Sequence, residues 1–242
     1  LRVDWDNNGA ALKSTDSSRV QNEKYYYRLG ATYTVRTASA FAAKLLPKGT
    51  IFSHNAQSWF LEKDAVLLAS IGYFSTRVAQ TFIELAVGGG DISTSGSAAR
   101  RYTTQVIEGI PFISDNDSLS VALSELGKKL VHASFSKLID EESSGLFTAS
   151  FTATSSLTET TRTKVDRLLD CAVSTLETAS HVDQELIATF DLSSEEVDFV
   201  TAETGDDVMS FPENVISAED AELGKLSTEN LIEKVVSEDG AK

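Results

Sequence analysis

The stretch DAVLLASIGYFSTRVAQTFIELAV, residues 64–87, marks the place where one sequence periodicity gives way to another. Its apolar residues recur at intervals of three and four, which is the spacing of one face of an α-helix. Polar residues interrupt the pattern near its middle, so we predict two short helices with Asp64 and Ser75 as N-caps. Segments before this stretch have strand character and segments after it are mostly helical, and the predicted fold class follows from that division.

Residues upstream of Asp64 alternate apolar and polar side chains or are rich in β-branched and aromatic residues, as β-strands are. Pro47, Lys48 and Gly49 form a turn signal between two apolar runs. We therefore predict that the runs on either side of this turn pair as neighbouring strands. The predicted strands are 1–5, 31–37, 39–46, 50–53 and a short addition at 58–61.

The sequence downstream of residue 87 becomes progressively helical. Residues 88–99, GGGDISTSGSAA, have no period and predict a loop, and residues 101–113 are strand-like. Helical patterns begin beyond residue 115 and are separated by a Ser/Thr-rich connector at 141–161. Ser193 and Glu196 have the spacing of a capping box, in which each residue satisfies a backbone N–H of the other, so a helix is predicted to begin there.

These patterns predict an α+β protein with two parts. The first, residues 1–115, is a mixed β-sheet domain with flanking helices. The second, residues 116–242, is an acidic α-helical region that ends in a helix at 220–236.

The distribution of charge indicates that the two halves have different functions. The chain has a formal net charge of −15. Residues 1–110 contain 12 basic and 9 acidic residues, a charge of +3, whereas residues 111–242 contain 9 basic and 27 acidic residues, a charge of −18. The first half can approach a polyanion such as nucleic acid, and the second half would repel one at close range.

The sequence lacks the patterns of several common catalytic sites. It has no phosphate-binding loop and no Gly-x-Ser-x-Gly nucleophile elbow. His54, His132 and His181 fall in different predicted elements, and the single cysteine, Cys171, cannot complete a zinc cluster. We therefore expect this chain alone to have no catalytic residues, no cofactor and no metal. One cysteine and the absence of a bilayer-length apolar run predict a cytoplasmic protein that does not enter membranes.

Basic, hydroxyl and aromatic side chains are concentrated in KYYYRLGATYTVRT, residues 24–37. In a strand, Thr32, Thr34 and Arg36 would share one face. Arginine reads guanine with two hydrogen bonds, and threonine reaches phosphate oxygens or a thymine methyl group. The face predicted for these residues is therefore suited to duplex DNA.

Other residues of the first half would extend this surface. Arg28, Lys44 and Lys48 would contact phosphates in a salt-sensitive manner. In the segment SHNAQ, residues 53–57, the side chains of His54, Asn55 and Gln57 are expected to lie in one loop, and amide side chains are adenine readers. Arg100 and Arg101 would act as a phosphate clamp. The alternative is an amphipathic sheet whose polar residues only face water.

Four motifs follow one another in this half: YYRLGATYTVRT, FAAKLLPKGTIFS, VLLASIGYF and RRYTTQVIEGIP. Their order resembles the target recognition domain of large adenine-specific DNA methyltransferases, namely the BREX phage-defence methylases and the related Type IIG-like single-chain restriction–modification enzymes. In that family a G-x-T-[WY]-x-x-R strand precedes L-P-x-G-x-I-F, a helical segment and Y-x-x-G-x-I-x-x-I-P. The matching residues are Thr32, Tyr33 and Arg36; Leu46, Pro47, Gly49, Ile51 and Phe52; and Tyr102, Ile107, Ile110 and Pro111.

The resemblance covers residues 20–205, and it includes departures. Gly72 and Tyr73 replace the family's Asn-Ser, Gln105 replaces a glycine of the closing motif, and Phe190-Asp191 replaces Tyr-Gly in a later helical element. The family's Asn-Pro-Pro-Tyr methylation motif and its Phe-x-Gly-x-Gly cofactor loop are absent. The resemblance therefore implies a C-terminal piece of a longer enzyme. Residues 1–115 would be its DNA target recognition domain, which binds double-stranded DNA, and residues 116–242 would be a helical extension. S-adenosylmethionine and catalysis would belong to an upstream methyltransferase domain of the same parent chain.

Two other functions are compatible with the residues. The acidic second half suits a protein–protein interaction module with no role in nucleic-acid binding, and this alternative is favoured if Arg28, Arg36, Lys44 and Arg100 do not share a face. An autonomous enzyme is favoured if a pocket lined by ionisable groups holds a cofactor.

Overall fold

The structure, a computed structural model, describes residues 5–16, 18–88, 100–112, 117–140 and 157–204. Within these ranges it contains seven α-helices and five β-strands, which confirms the predicted α+β class. Residues 89–99 of the predicted loop at 88–99, most of the Ser/Thr-rich connector and the acidic helix at 220–236 lie outside the described residues. So does all of the predicted strand at 1–5 except Trp5, which is in no strand.

The strands form two small sheets in which every described pairing is antiparallel, where the sequence predicts a mixed sheet. In the three-stranded sheet, β1 lies between β3 and β4. In the two-stranded sheet, β2 pairs with β5. The strands are β1 (Gly30–Thr34), β2 (Arg36–Thr37), β3 (Lys44–Leu46), β4 (Ala56–Trp59) and β5 (Arg100–Arg101).

The predicted pairing of 39–46 with 50–53 is wrong. Strand β3 pairs with β1, and residues 50–53 form no strand. The turn at Pro47–Gly49 is present, but the backbone after it bonds elsewhere: the Gly49 N–H donates to the Tyr27 carbonyl at 3.2 Å, and the Thr50 carbonyl accepts from the Tyr27 N–H at 2.9 Å. These two bonds take the backbone groups that a hairpin with β3 would need.

The two helices predicted for residues 64–87 are present as α2 (Asp64–Phe74) and α3 (Arg77–Val87). Their predicted caps are wrong by one residue each. Lys63 occupies the N-cap position of α2 without a side-chain bond. The Thr76 hydroxyl caps α3 by accepting from the Ala79 N–H, because Ser75 donates its hydroxyl back to Ile71 at the end of α2.

The remaining helices are α1 (Asp6–Lys13), α4 (Thr104–Glu108), α5 (Asp117–Asp140), α6 (Leu157–Thr189) and α7 (Ser194–Thr204). Helix α4 occupies part of the predicted strand 101–113, because the Thr103 hydroxyl accepts from the Val106 N–H and starts a helical turn. The predicted connector at 141–161 ends earlier than expected, since α6 begins at residue 157. Within the described ranges, no helix is both long and apolar enough to cross a membrane.

The capping box at the start of α7 is confirmed. The Glu196 carboxylate accepts from both the backbone N–H and the hydroxyl of Ser193 at 2.8 Å. These bonds lower the pKa of the Glu196 carboxyl.

Helix α2 is the centre of the core, packed between the three-stranded sheet and α5. It is apolar on nearly all sides, as a fully buried helix is. It meets α5 at two glycines, Gly72 and Gly127, where the backbones approach so closely that a Cβ atom on either residue would overlap a carbonyl oxygen of the other helix.

One hydrophobic core joins residues from both sides of the predicted boundary at 115/116. Tyr33 and Ile71 belong to the same buried cluster as Leu123 on α5 and Leu186 on α6. A buried ion pair adds to this connection: the Asp183 carboxylate on α6 accepts from the Arg77 side chain at 2.6 Å and from the Arg77 backbone N–H at 3.2 Å. In the described ranges, therefore, α5 and α6 complete the core on which the sheets rest.

Candidate nucleic-acid interface

A backbone junction at Val35 gathers polar residues from four segments at one end of the three-stranded sheet. The chain bends at Val35, between β1 and β2, instead of continuing as the single strand predicted for 31–37. The Val35 N–H donates to the Asn55 carbonyl at 3.2 Å, and the Val35 carbonyl accepts from the Tyr102 N–H at 2.8 Å. The turn before β4, the end of β5 and the start of α4 are thereby held beside the end of β1.

Two arginines oppose each other in the two-stranded sheet. Arg36 on β2 and Arg101 on β5 are directly paired across the strands, and both are exposed. Neither has an ion-pair partner among the residues that the structure describes. Like charges directly opposite each other destabilise a sheet, so an anion that binds between these guanidinium groups would relieve their repulsion.

A hydrogen-bonded cluster lies around Gln57. The Gln57 side-chain carbonyl accepts from the Tyr33 hydroxyl at 2.6 Å and from the Thr104 hydroxyl at 2.7 Å. Burial raises the pKa of Tyr33, and the nearby Glu108 carboxylate raises it further, so its hydroxyl stays a donor at neutral pH. Thr104 is absent from the predicted site because the sequence of its segment predicts a strand. Its position three residues after Arg101 is the sequence feature that could have indicated that Thr104 belongs to the site.

A row of polar side chains crosses the outer face of the three-stranded sheet. Thr32 on β1 lies between Lys44 on β3 and Ser58 on β4. Thr34, two residues further along β1, is exposed, while Thr32 donates its hydroxyl to the Gln57 backbone carbonyl at 3.0 Å. Thr32 and Thr34 share a face as predicted for a strand, but Arg36 follows the bend and belongs to the other sheet.

The predicted base-reading loop is a tight turn before β4. The Ala56 N–H donates to the Ser53 carbonyl at 3.0 Å, and the two residues between them, His54 and Asn55, are exposed. Because the Asn55 backbone is bonded to Val35, this turn lies at the same end of the sheet as Gln57. The structure therefore brings together the three residues predicted from this loop.

Arg28 and Lys48 lie at the opposite end of β1. The Arg28 guanidinium stacks over Tyr25 at 5.6 Å and over Phe60 at 6.0 Å. Lys48 is exposed in the turn that hydrogen-bonds to Tyr27. These two cations are therefore separated from the Arg36–Arg101 pair by the length of β1.

The consecutive tyrosines at 25–27 pack mainly against other rings. Tyr25 stacks on Phe60 with ring centroids 5.0 Å apart, and Tyr26 meets Trp5 edge-on at 5.2 Å. This N-terminal aromatic cluster comprises Trp5, Tyr25, Tyr26, Tyr27, Phe52 and Phe60. Most of the aromatic content of the 24–37 segment therefore stabilises the fold.

Arg100 points away from Arg101, as neighbours in a strand do. Its Nε lies 2.9 Å from the Glu84 Oε2 on α3, and the other Glu84 oxygen accepts from the Tyr102 hydroxyl at 3.4 Å. Burial first, and then the Glu84 charge, raise the pKa of Tyr102 to about 12. Arg100 therefore ties β5 to α3, and the two consecutive arginines do not form a clamp on one face.

Two grooves lie between α5 and α6 in the described part of the second half, with volumes of ≈ 430 and ≈ 480 Å³. The lining of the first includes Lys129, His132 and Cys171, and the lining of the second includes Glu177 and His181. The Cys171 Sγ is 3.7 Å from the His132 Nδ1, and the Lys129 ammonium is bonded to Ser174 and Thr178. Among the described residues, no group of three or more His, Cys, Asp or Glu side chains is arranged to hold a metal ion.

No match is found when the sequence is compared with protein-family models or with curated proteins. The resemblance to adenine-specific DNA methyltransferases therefore stays a prediction.

Proposed function

We propose that this chain is the DNA target recognition part of an adenine-specific DNA methyltransferase or restriction–modification enzyme. Catalysis and S-adenosylmethionine would belong to a methyltransferase domain elsewhere in the parent chain. The observation that supports this best is the exposed Arg36–Arg101 pair, which lies beside Gln57 and the turn that presents His54 and Asn55. Guanidinium, amide and imidazole groups converging on one end of a sheet are the side chains that contact phosphates and base edges.

The structure supports a smaller DNA-contacting surface than the one predicted from the sequence. Arg36 and Arg101 would bind phosphate or guanine, Lys44 and Thr34 would contact the backbone along the sheet face, and the turn would approach the bases. Arg100 contributes indirectly by fixing β5. The acidic helices would face away from DNA or pack on the catalytic domain, because a charge of −18 in residues 111–242 repels phosphates.

Binding of the 242-residue chain to duplex DNA over a series of salt concentrations tests this function. Each phosphate contact contributes about 0.9 to the log–log slope of affinity against salt. Arg36→Gln and Arg101→Gln are each expected to weaken binding and to reduce the slope by about 0.9. Lys128→Gln, an exposed change on α5, is the matched control and should leave the slope unchanged. Absence of binding by the wild-type chain at low salt would refute the proposal.

A protein–protein interaction module is the second candidate, and the positions of the cations favour it. Arg28 and Arg36 lie at opposite ends of β1, and Arg100 is paired with Glu84. On this reading Arg36 and Arg101 would bind a carboxylate-rich partner. Measuring duplex binding over the same salt series distinguishes the two functions. A chain that does not bind duplex DNA at low salt but retains an intact fold supports this second candidate.

A further inference from the structure

We infer that Gln57 presents only hydrogen-bond donors to DNA and therefore reads guanine and not adenine. This inference rests on the proposed function and assigns a base to one residue of that surface. Tyr33 and Thr104 act as positioning residues for the Gln57 amide.

The acceptor side of the Gln57 amide is fully used. A carbonyl oxygen has two lone pairs. The Gln57 Oε1 receives one hydroxyl from Tyr33 at 2.6 Å and another from Thr104 at 2.7 Å. The Tyr33 ring is buried between Phe41 and Trp59, with centroids 5.0 and 6.0 Å away, so the first donor is held in place. The second donor is fixed by its position at the first residue of α4.

The donor side of the same amide is open. Gln57 is half-buried, and its Nε2 has no hydrogen-bond partner among the described residues. It is also not among the buried polar atoms of the described residues that lack a partner, which are the Gln80 Oε1 and the Glu185 Oε2. The Nε2 therefore reaches solvent, where its two N–H groups can bind a ligand.

Because the Gln57 oxygen is already bonded and its nitrogen is open, the pattern of donors and acceptors on the base edges predicts which base Gln57 prefers. Adenine presents a donor at N6 and an acceptor at N7, so a glutamine reads it only when both its oxygen and its nitrogen are available. Guanine presents two acceptors, N7 and O6, in the major groove. A donor-only amide therefore matches guanine and leaves the N6 group of adenine unpaired, which is unfavourable in a desolvated interface.

Selection from a pool of randomised duplexes tests the inference. The 242-residue chain at low salt is expected to enrich guanine over adenine about 5-fold or more at one position of the selected site. Gln57→Glu keeps an oxygen for Tyr33 and Thr104 to bond but presents an acceptor outward, so cytosine, with its N4 donor, should replace guanine there. Gln105→Glu adds the same charge at an exposed position of α4 and should retain guanine.

Thr104→Val provides a test that does not add charge to the cluster. It frees one lone pair of the Gln57 oxygen, so acceptance of adenine at the same position should rise toward that of guanine. An unchanged preference in Thr104→Val would overturn the inference. A wild-type site with adenine at this position, or a uniform loss of affinity in Gln57→Glu with no change of base, would overturn it as well.

Failure of this inference can be distinguished from failure of the proposed function. Salt-dependent duplex binding with the wrong base, or with no enriched base, defeats only the assignment of guanine to Gln57. A wild-type chain that binds no duplex at low salt defeats the proposed function and the guanine assignment together.

Discussion

Replacing Gly72 with alanine is expected to force helices α2 and α5 apart. A Cβ atom at this position would lie 2.1 Å from the Leu123 carbonyl oxygen. A carbon–oxygen contact needs about 3.3 Å, so the helices must separate by about 1.2 Å. Overpacking costs about 1–3 kcal/mol, and the upper half of that range applies because a backbone oxygen cannot rotate away. Alanine has a higher helix propensity than glycine, which stabilises the helix by about 1 kcal/mol. The net destabilisation is therefore about 1–2 kcal/mol.

Thermal unfolding followed by circular dichroism measures this effect. A loss of 1–2 kcal/mol corresponds to a fall in Tm of about 2–8 °C for a chain of this size. Gly127→Ala should behave similarly, since its Cβ would lie 2.0 Å from the Leu68 carbonyl oxygen. The double variant should lose less than the sum of the two, because helices already separated by one methyl group accommodate the second.

Ser134→Ala on the exposed side of α5 is the control, and its Tm should change little. A rise in Tm for Gly72→Ala would mean that only the gain in helix propensity operates. That result would refute the close contact between α2 and α5.

Two further predictions concern buried polar groups. Arg77→Leu removes the guanidinium group that pairs with the Asp183 carboxylate, which is 1% exposed, and should lower the free energy of unfolding in urea by about 3–5 kcal/mol. Adding Asp183→Leu should restore part of that loss, and no recovery would contradict the buried ion pair between Arg77 and Asp183. Burial raises the pKa of Tyr102 to about 12, so the stability that its neutral form contributes is complete below pH ~10, the ordinary tyrosine pKa, and is lost as the pH rises toward the raised value. Urea midpoints measured from pH 8 to about 12 should therefore fall more steeply for the wild type than for Tyr102→Phe, and parallel curves would contradict this prediction.

The parts of the fold that the sequence predicts correctly are those set by local patterns. Helices α2 and α3 follow from their apolar periodicity, and the capping box follows from Ser193 and Glu196 alone. Strand β1 follows from its β-branched and aromatic residues. Each of these signals lies within the element that it specifies.

The errors arise where distant backbone groups compete for the same hydrogen bonds. The bend at Val35 depends on Asn55 and Tyr102, which are 20 and more than 60 residues further along the chain. Helix α4 is too short for a period to be visible, and a single threonine cap decides it. The predicted strand at 50–53 is likewise absent because the backbone groups of Gly49 and Thr50 are hydrogen-bonded to Tyr27.

The candidate site was partly visible in the sequence. The predicted loop residues His54, Asn55 and Gln57 do lie at one end of the sheet. Strand alternation alone would have placed Arg100 and Arg101 on opposite faces. The bond between Gln57 and Thr104 joins residues 47 positions apart, and no local pattern signals it.

The N-terminal aromatic cluster contains one of the two tryptophans of the chain, so the protein has two independent optical reporters. The two tryptophans lie in separate surroundings. Trp5 lies in the cluster with Tyr26 and a lysine ammonium 5.6 Å above its ring, whereas the Trp59 indole donates to the Ser70 hydroxyl within the core at 2.9 Å. Fluorescence from a chain retaining only Trp5 would follow undocking of the N-terminal segment, and emission from Trp59 would follow global unfolding. Partial opening of this end of the molecule can therefore be observed without attaching a dye.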